Sequence, residues 1–136
     1  MKTFTITEDI KVHCLTATSF PAGLKAVYDR LHATYPPENG RTYYGISYPD
    51  GNGSIVYKAA VKLIQSDGDP GSGFEPFIIK KGDYIGEEIR DFMSDVQSIG
   101  RLFQQLIAQP GIAPDGYCLE IYLNPTDVRC LVKMAD

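Results

Sequence analysis

Two stretches of this chain repeat each other at a constant spacing of 75 residues, and that spacing limits the possible folds more than any single motif. Leu24 falls on Ile99, Val27 on Leu102, Tyr28 on Phe103 and Leu31 on Leu106. Pro36 falls on Gly111, where both helical patterns stop. With no gap, Ile46 then falls on Ile121 and Tyr48 on Leu123. Helix length, connecting loop and strand phase agree together, which is the mark of an internal duplication. The halves run over about residues 1–66 and 74–136, and the Gly/Pro-rich stretch Ser66–Gly73 separates them.

Each half offers the same order of elements. In the first, Leu24, Val27, Tyr28, Leu31 and Tyr35 share one face of a helix predicted over Pro21–Tyr35, which Pro36 and Pro37 stop. RTYYGISYP, the turn DGNG and SIVYKAAVKLI follow as a β-hairpin. In the second, a helix is predicted over Ser94–Gln109, with Ser94 and Gln97 spaced as a capping box. Its apolar face is Val96, Ile99, Leu102, Phe103, Leu106 and Ile107, and Pro110-Gly111 ends it. YCLEIYLN and VRCLVKM then form a second hairpin, and extended segments precede each helix around Phe4–Ala17 and Phe77–Ile89. The expectation is an α+β fold in one domain, 1–136. Duplicated strand–helix–hairpin modules share an antiparallel sheet, with both helices on one face and a ligand cleft between the modules.

Composition excludes several classes. Apolar residues make up 43% and charged residues 22%, as in ordinary globular domains. The net charge of −4 and the lack of a basic stripe argue against direct nucleic-acid binding. The polar start MKTFTITEDIKV is not a signal peptide, and no long apolar run could cross a membrane, so a cytoplasmic location is expected. Cys14, Cys118 and Cys130 are odd in number and lack a CxxC pair, so neither disulfides nor a metal site is expected. The glycines of DGNGS and DPGSG lack the lysine and helix of a phosphate loop.

One residue breaks the hydrophobic pattern of the second hairpin. Glu120 stands inside YCLEIYLNP, between Leu119 and Ile121. Strand side chains alternate, so Leu119, Ile121 and Leu123 are expected beneath the helices, and Cys118, Glu120, Tyr122 and Asn124 on the opposite side. The counterpart of Glu120 in the first half is Gly45, which leaves room beside the carboxylate; Tyr43 and Ser47 share its side. Nine tyrosines against no tryptophan, many of them in strands, put phenol rings near that carboxylate. Such rings attract a cation by about 0.5–2 kcal/mol each. A partly buried glutamate supplies the counter-charge.

Three segments carry a resemblance: YYGISYPDGNGSIVYKAAV, IIKKGDYI and LEIYLNP. Over nearly its whole length the chain resembles the GyrI-like small-molecule-binding domains, the effector-binding domains of multidrug-responsive bacterial transcription regulators. The resemblance implies paired modules with a cleft between them and a glutamate in an E-x-Y strand, matched here by Glu120 and Tyr122. It also implies an aromatic wall at Tyr57 and, more remotely, at Tyr84. Tyr57's side of the sheet stays open, because three- and four-residue loops give opposite answers. Too few residues precede the first strand for a helix-turn-helix, so a stand-alone domain is expected rather than a complete transcription factor.

The expected function is binding or sequestration of a hydrophobic, cationic small molecule in a cleft centred on Glu120, without a cofactor. Two alternatives remain. One is hydrolysis of strained, cyclopropane-type compounds with Glu120 as general base. The other is a protein-binding regulator of the gyrase-inhibitor kind. His13 and His32 have no evident catalytic or haem-binding partner.

Overall fold

The computed structural model describes residues 1–37, 40–64 and 73–136. Among these residues are eight strands and two α-helices: β1 (Lys2–Ile6), β2 (Ile10–Thr16), α1 (Leu24–Thr34), β3 (Tyr43–Pro49), β4 (Ile55–Lys62), β5 (Glu75–Ile79), β6 (Gly82–Ile89), α2 (Gln97–Ile107), β7 (Cys118–Tyr122) and β8 (Val128–Lys133). The strands form one sheet in the order β1-β6-β8-β7-β3-β4-β2-β5, and every pairing is antiparallel.

This order forces the sheet to curl. β1 and β2 lie six strand positions apart, yet only residues 7–9 join them. In a flat sheet six spacings span about 29 Å, whereas that link reaches about 15 Å. β5 and β6 are likewise six positions apart and joined by Lys80 and Lys81 alone. The two links touch each other, Lys81 N donating to Asp9 Oδ1 at 2.8 Å, and Lys80 N donates to the hydroxyl of Tyr117, just before β7, at 3.0 Å. Residues from both ends of the sheet, Val12 and Ile79 at one and Tyr84 and Leu131 at the other, therefore join Tyr44, Ile46 and Leu119 in one buried cluster on the concave face. The curl turns what would be a solvated face into core, because apolar side chains there shield one another without a covering layer.

Both helices pack on the convex face. Val27, Leu31 and Tyr35 bring α1 onto Leu15, Ala59 and Val61 of β2 and β4. Leu102, Phe103 and Leu106 bring α2 onto Val128, Cys130 and Val132, over β8 and β6. The central pair β3–β7 lies between them.

The structure corrects three expectations. Leu119 does not lie beneath the helices; it is fully buried on the concave face, and Glu120 points to the helix side. Both faces of this sheet are covered, so apolar alternation alone could not say which one the helices take. The capping box at Ser94 is absent. Phe92–Ser94 form a 3-10 turn, the Ser94 hydroxyl donates to Asp91 O at 2.8 Å, and α2 starts at Gln97 without a side-chain cap. Each extended segment before a helix is two strands, because β1 and β5 each leave their own half to pair with the other half's strand, β6 and β2. The Ser66–Gly73 stretch, apart from Gly73, lies outside the described residues.

If the concave face is true core, Leu119→Ala costs about 2–5 kcal/mol of stability through lost burial and a residual cavity. Urea unfolding measures it, and a loss below about 1 kcal/mol would show that the two sheet ends do not close over Leu119.

Candidate functional site

The hairpin registers decide which side chains meet Glu120. Pro49 pairs with Ile55 across residues 50–54, a loop closed by Asp50 Oδ1, which accepts from Asn52 N at 2.6 Å and Ser54 N at 3.1 Å. This sets Ser47 opposite Tyr57 and Gly45 opposite Ala59, so Tyr57 projects to the convex face. Gly45 also pairs directly with Glu120, and Glu120 with Cys130. Tyr43, Gly45, Ser47, Tyr57, Cys118, Glu120, Tyr122 and Cys130 therefore share the convex side of the sheet, with Gly45 and Glu120 in the strip between the helices.

Glu120 is only 6% exposed. Its Oε1 accepts from the Tyr57 hydroxyl at 3.0 Å and from the Tyr122 hydroxyl. Tyr28 reaches in from α1: its hydroxyl lies 2.7 Å from that of Tyr57 and donates to Tyr44 O at 3.0 Å. The Tyr28 ring meets Tyr57 and Tyr122 edge-on, with centroids 6.2 and 5.9 Å apart. Two further rings cover this triad. Phe20, just before α1, stacks on Tyr57 at 5.6 Å; Phe92, before α2, meets Tyr122 edge-on at 5.7 Å. The aromatic side chains thus fill the strip and close over the carboxylate.

Gly45 makes this packing possible. A Cβ there would stand 2.1 Å from the Tyr57 hydroxyl oxygen and 2.8 Å from Glu120 Oε1. The room expected beside the carboxylate exists, but the Tyr57 hydroxyl occupies it.

The two covering rings are held differently. The β7–β8 turn fixes Phe92: Phe92 N donates to Thr126 O at 2.9 Å and Asp91 N to Asp127 Oδ1 at 3.1 Å. Asp127 itself is held by Asn124 at 2.9 Å and Arg90 at 3.2 Å, and the Asn124 amide first, then the Asp91 N–H, keep its carboxyl below the usual range. Phe20 is 44% exposed and is the outermost of the five rings over Glu120.

Electrostatics follow from burial. Taking Glu120 out of water raises its carboxyl above the ordinary carboxylate range, while the Tyr122 and Tyr57 hydroxyls pull the other way. Burial, then the Glu120 charge, pushes the Tyr28, Tyr57 and Tyr122 phenols far above theirs, so all three are neutral donors. Cys118 is pushed up to about 11 and Cys130 higher still, again by burial first and Glu120 second. Neither thiol is an activated nucleophile.

The remaining candidates lie elsewhere. Tyr43 shares the convex face, but its hydroxyl donates to Tyr35 O at 2.5 Å and its ring packs against His32, away from Glu120. Ser47 lies next to Cys118 across the β3–β7 pair, at the edge of the strip. Tyr84 is on the opposite face: it belongs to the concave core, and its hydroxyl donates to Lys80 O at 2.6 Å and meets Tyr117 at 3.0 Å. It does not take part in a site at Glu120. His13 bonds Tyr35 at 3.0 Å. Sequence reasoning missed Tyr28, Phe20 and Phe92. Tyr28 was legible only as one apolar position of α1, although a phenol there needs a hydroxyl partner. Among the described residues no three His, Cys, Asp or Glu side chains gather as a metal site, and no helix is long and apolar enough to cross a membrane. Two open hollows, each of about 540 Å³, lie around Tyr117 and Asp115, not over Glu120.

Two outcomes test this geometry. Gly45→Ala forces Tyr57 off Glu120 and costs about 1–3 kcal/mol by overpacking, measured by denaturant unfolding. The second concerns pH. A carboxyl whose folded-state pKa is raised contributes stability that is complete below its unfolded value, near 4.5, and is lost as pH rises through the folded value. Wild type should therefore lose stability relative to Glu120→Gln as pH rises from about 4.5, by at most ~1.4 kcal/mol per pH unit. Parallel stability curves for the two proteins would show that the carboxyl is not raised.

No protein-family model matches the chain, and no curated protein matches it in sequence. Among solved structures it is similar to the integron cassette protein VCH_CASS2 from the mobile metagenome of Vibrio cholerae, with a TM-score of 0.69 and 13% identity. The match covers 98% of this chain and 94% of that one. At that identity the likeness concerns the fold alone: an α+β architecture with a curled antiparallel sheet.

Proposed function

We propose that this chain binds a hydrophobic, cationic small molecule in the strip between α1 and α2, with Glu120 as counter-charge and Tyr28, Tyr57 and Tyr122 as the ring wall. One observation carries this reading: a carboxylate 6% exposed, held by two tyrosine hydroxyls and enclosed by aromatic rings. An isolated buried carboxylate costs stability. A purely structural role would be served as well by a neutral amide, whereas a desolvated acid among ring faces suits a lipophilic cation. The resemblance to GyrI-like effector-binding domains supports the same use. So does the strand order, which reads the same when each of the first four strands is exchanged for its counterpart in the second four. That symmetry is what two related modules would leave, with the site on their shared seam.

The strip is closed, so a ligand enters by displacing rings. Phe20, at 44% exposure, is the first to move, and Tyr28 follows by giving up its bond to Tyr57. The thiols, held up as neutral groups, add no nucleophile to the alternative of hydrolysis, which rests on Glu120 as general base. Sequestration or effector sensing of a cationic compound remains the reading.

Calorimetry with benzyltriethylammonium, a lipophilic monocation, tests it. Wild type should bind, and Glu120→Gln should bind more than tenfold more weakly with an unchanged circular dichroism spectrum. Equal affinity in the two proteins would remove Glu120 from the role of counter-charge.

A further inference from the structure

The hydroxyl cluster around Glu120 is one proton short if the acid is ionised. Three tyrosine hydroxyls bring three protons to four contacts: Tyr122 to Glu120, Tyr57 to Glu120, Tyr28 to Tyr57, and Tyr28 to Tyr44 O. With a carboxylate, Tyr57 and Tyr122 both donate to it. Tyr28 then has one proton for two acceptors, and its 2.7 Å contact with Tyr57 or its 3.0 Å contact with Tyr44 O sets two lone pairs against each other. A proton on Glu120 completes the set. Glu120 donates to Tyr57, Tyr57 to Tyr28, Tyr28 to Tyr44 O, and Tyr122 donates to Glu120. Buried polar groups are rarely left unsatisfied, so the four-proton arrangement is the favoured one.

We propose that the closed site holds Glu120 as the neutral acid and takes up a cation in exchange for one proton, which passes to the solvent. This rests on the binding reading above and specifies how it is regulated. The cation breaks the Tyr28–Tyr57 contact, the O–H bond of Glu120 breaks, and the electron pair left on the carboxylate faces the positive charge. Net charge in the strip thus stays constant, which avoids burying an uncompensated ion in either state.

The groups around Glu120 are consistent with this exchange. From β4 and β7 come Tyr57, Tyr122 and Cys118; from β8, Cys130; from α1, Tyr28 with His32 beyond it, at 6.1 Å between rings. β3 offers Gly45 and Ser47, which do not titrate, and Tyr43, whose hydroxyl is given to Tyr35 O. On the α2 side Phe92 and Phe103 are apolar, and the nearby charges Asp95 and Arg101 pair with each other. The phenols of Tyr28, Tyr57 and Tyr122 and the two thiols are held neutral by burial, so among these groups Glu120 is the one left to release a proton.

Two measurements on the full chain test the exchange. Infrared difference spectra of ligand-free wild type against Glu120→Gln at pH 7 should show one protonated carboxyl band that the variant lacks. Carboxyl-carbon NMR of glutamate-labelled wild type reads the same proton without a variant. A carboxylate signal alone would overturn the proposal. In calorimetry with benzyltriethylammonium, the heat should differ between phosphate and Tris by the equivalent of one proton released per cation. The affinity should rise about tenfold per pH unit while the free site keeps its proton. Measurable binding with buffer-independent heat overturns the exchange but leaves the binding reading standing. A protonated carboxyl with no cation binding overturns the binding reading, and the exchange falls with it.

Discussion

Two very short links, residues 7–9 and Lys80–Lys81, govern this structure, because each must join strands that lie six places apart in the sheet. No flat sheet satisfies them. Once the sheet curls, its concave face becomes a core without any covering layer, lined by Leu119, Ile46, Tyr44, Tyr84 and Leu131. The helices are then free to cover only the convex side. Each sits over its own outer strands, α1 on β2 and β4, α2 on β6 and β8, and the central β3–β7 pair is left as a strip between them.

That strip is where the chain places its most costly group. A helix centred over β3 and β7 would have sealed it with aliphatic side chains. Instead Tyr28 enters from α1, Phe20 and Phe92 arrive from the segments before each helix, and Tyr57 and Tyr122 rise from the strands. The result is a polar centre in an aromatic shell. Its hydroxyls are satisfied by one another, by Tyr44 O and by Glu120, so little of the desolvation cost is left uncompensated.

Element types were legible in the sequence because their signals are local. The helical faces of α1 and α2 and the two hairpins follow from periodicity and turn residues, and the 75-residue spacing named Gly45 as the counterpart of Glu120, though not as its cross-strand partner. The sidedness of the sheet was not legible. Leu119 and Glu120 alternate as any strand does, and only the non-local pairing of β1 with β6 and β5 with β2 makes both faces interior. Tyr57 waited on the register Pro49–Ile55, which depends on the Asp50 loop. Tyr84 sat in a strand that looked equivalent to the others, yet its hydroxyl is committed to Lys80 O and Tyr117 at the far face. Phe20 and Phe92 carry no periodic signal, since each belongs to an irregular approach to a helix.

Gly45 and Glu120 are counterparts under the 75-residue spacing and also direct neighbours across the central strand pair. Two glutamates there would press like charges together, and any side chain at 45 would collide with Tyr57. A glutamate at both positions is therefore excluded. What these two positions permit is a single acid, never a facing pair.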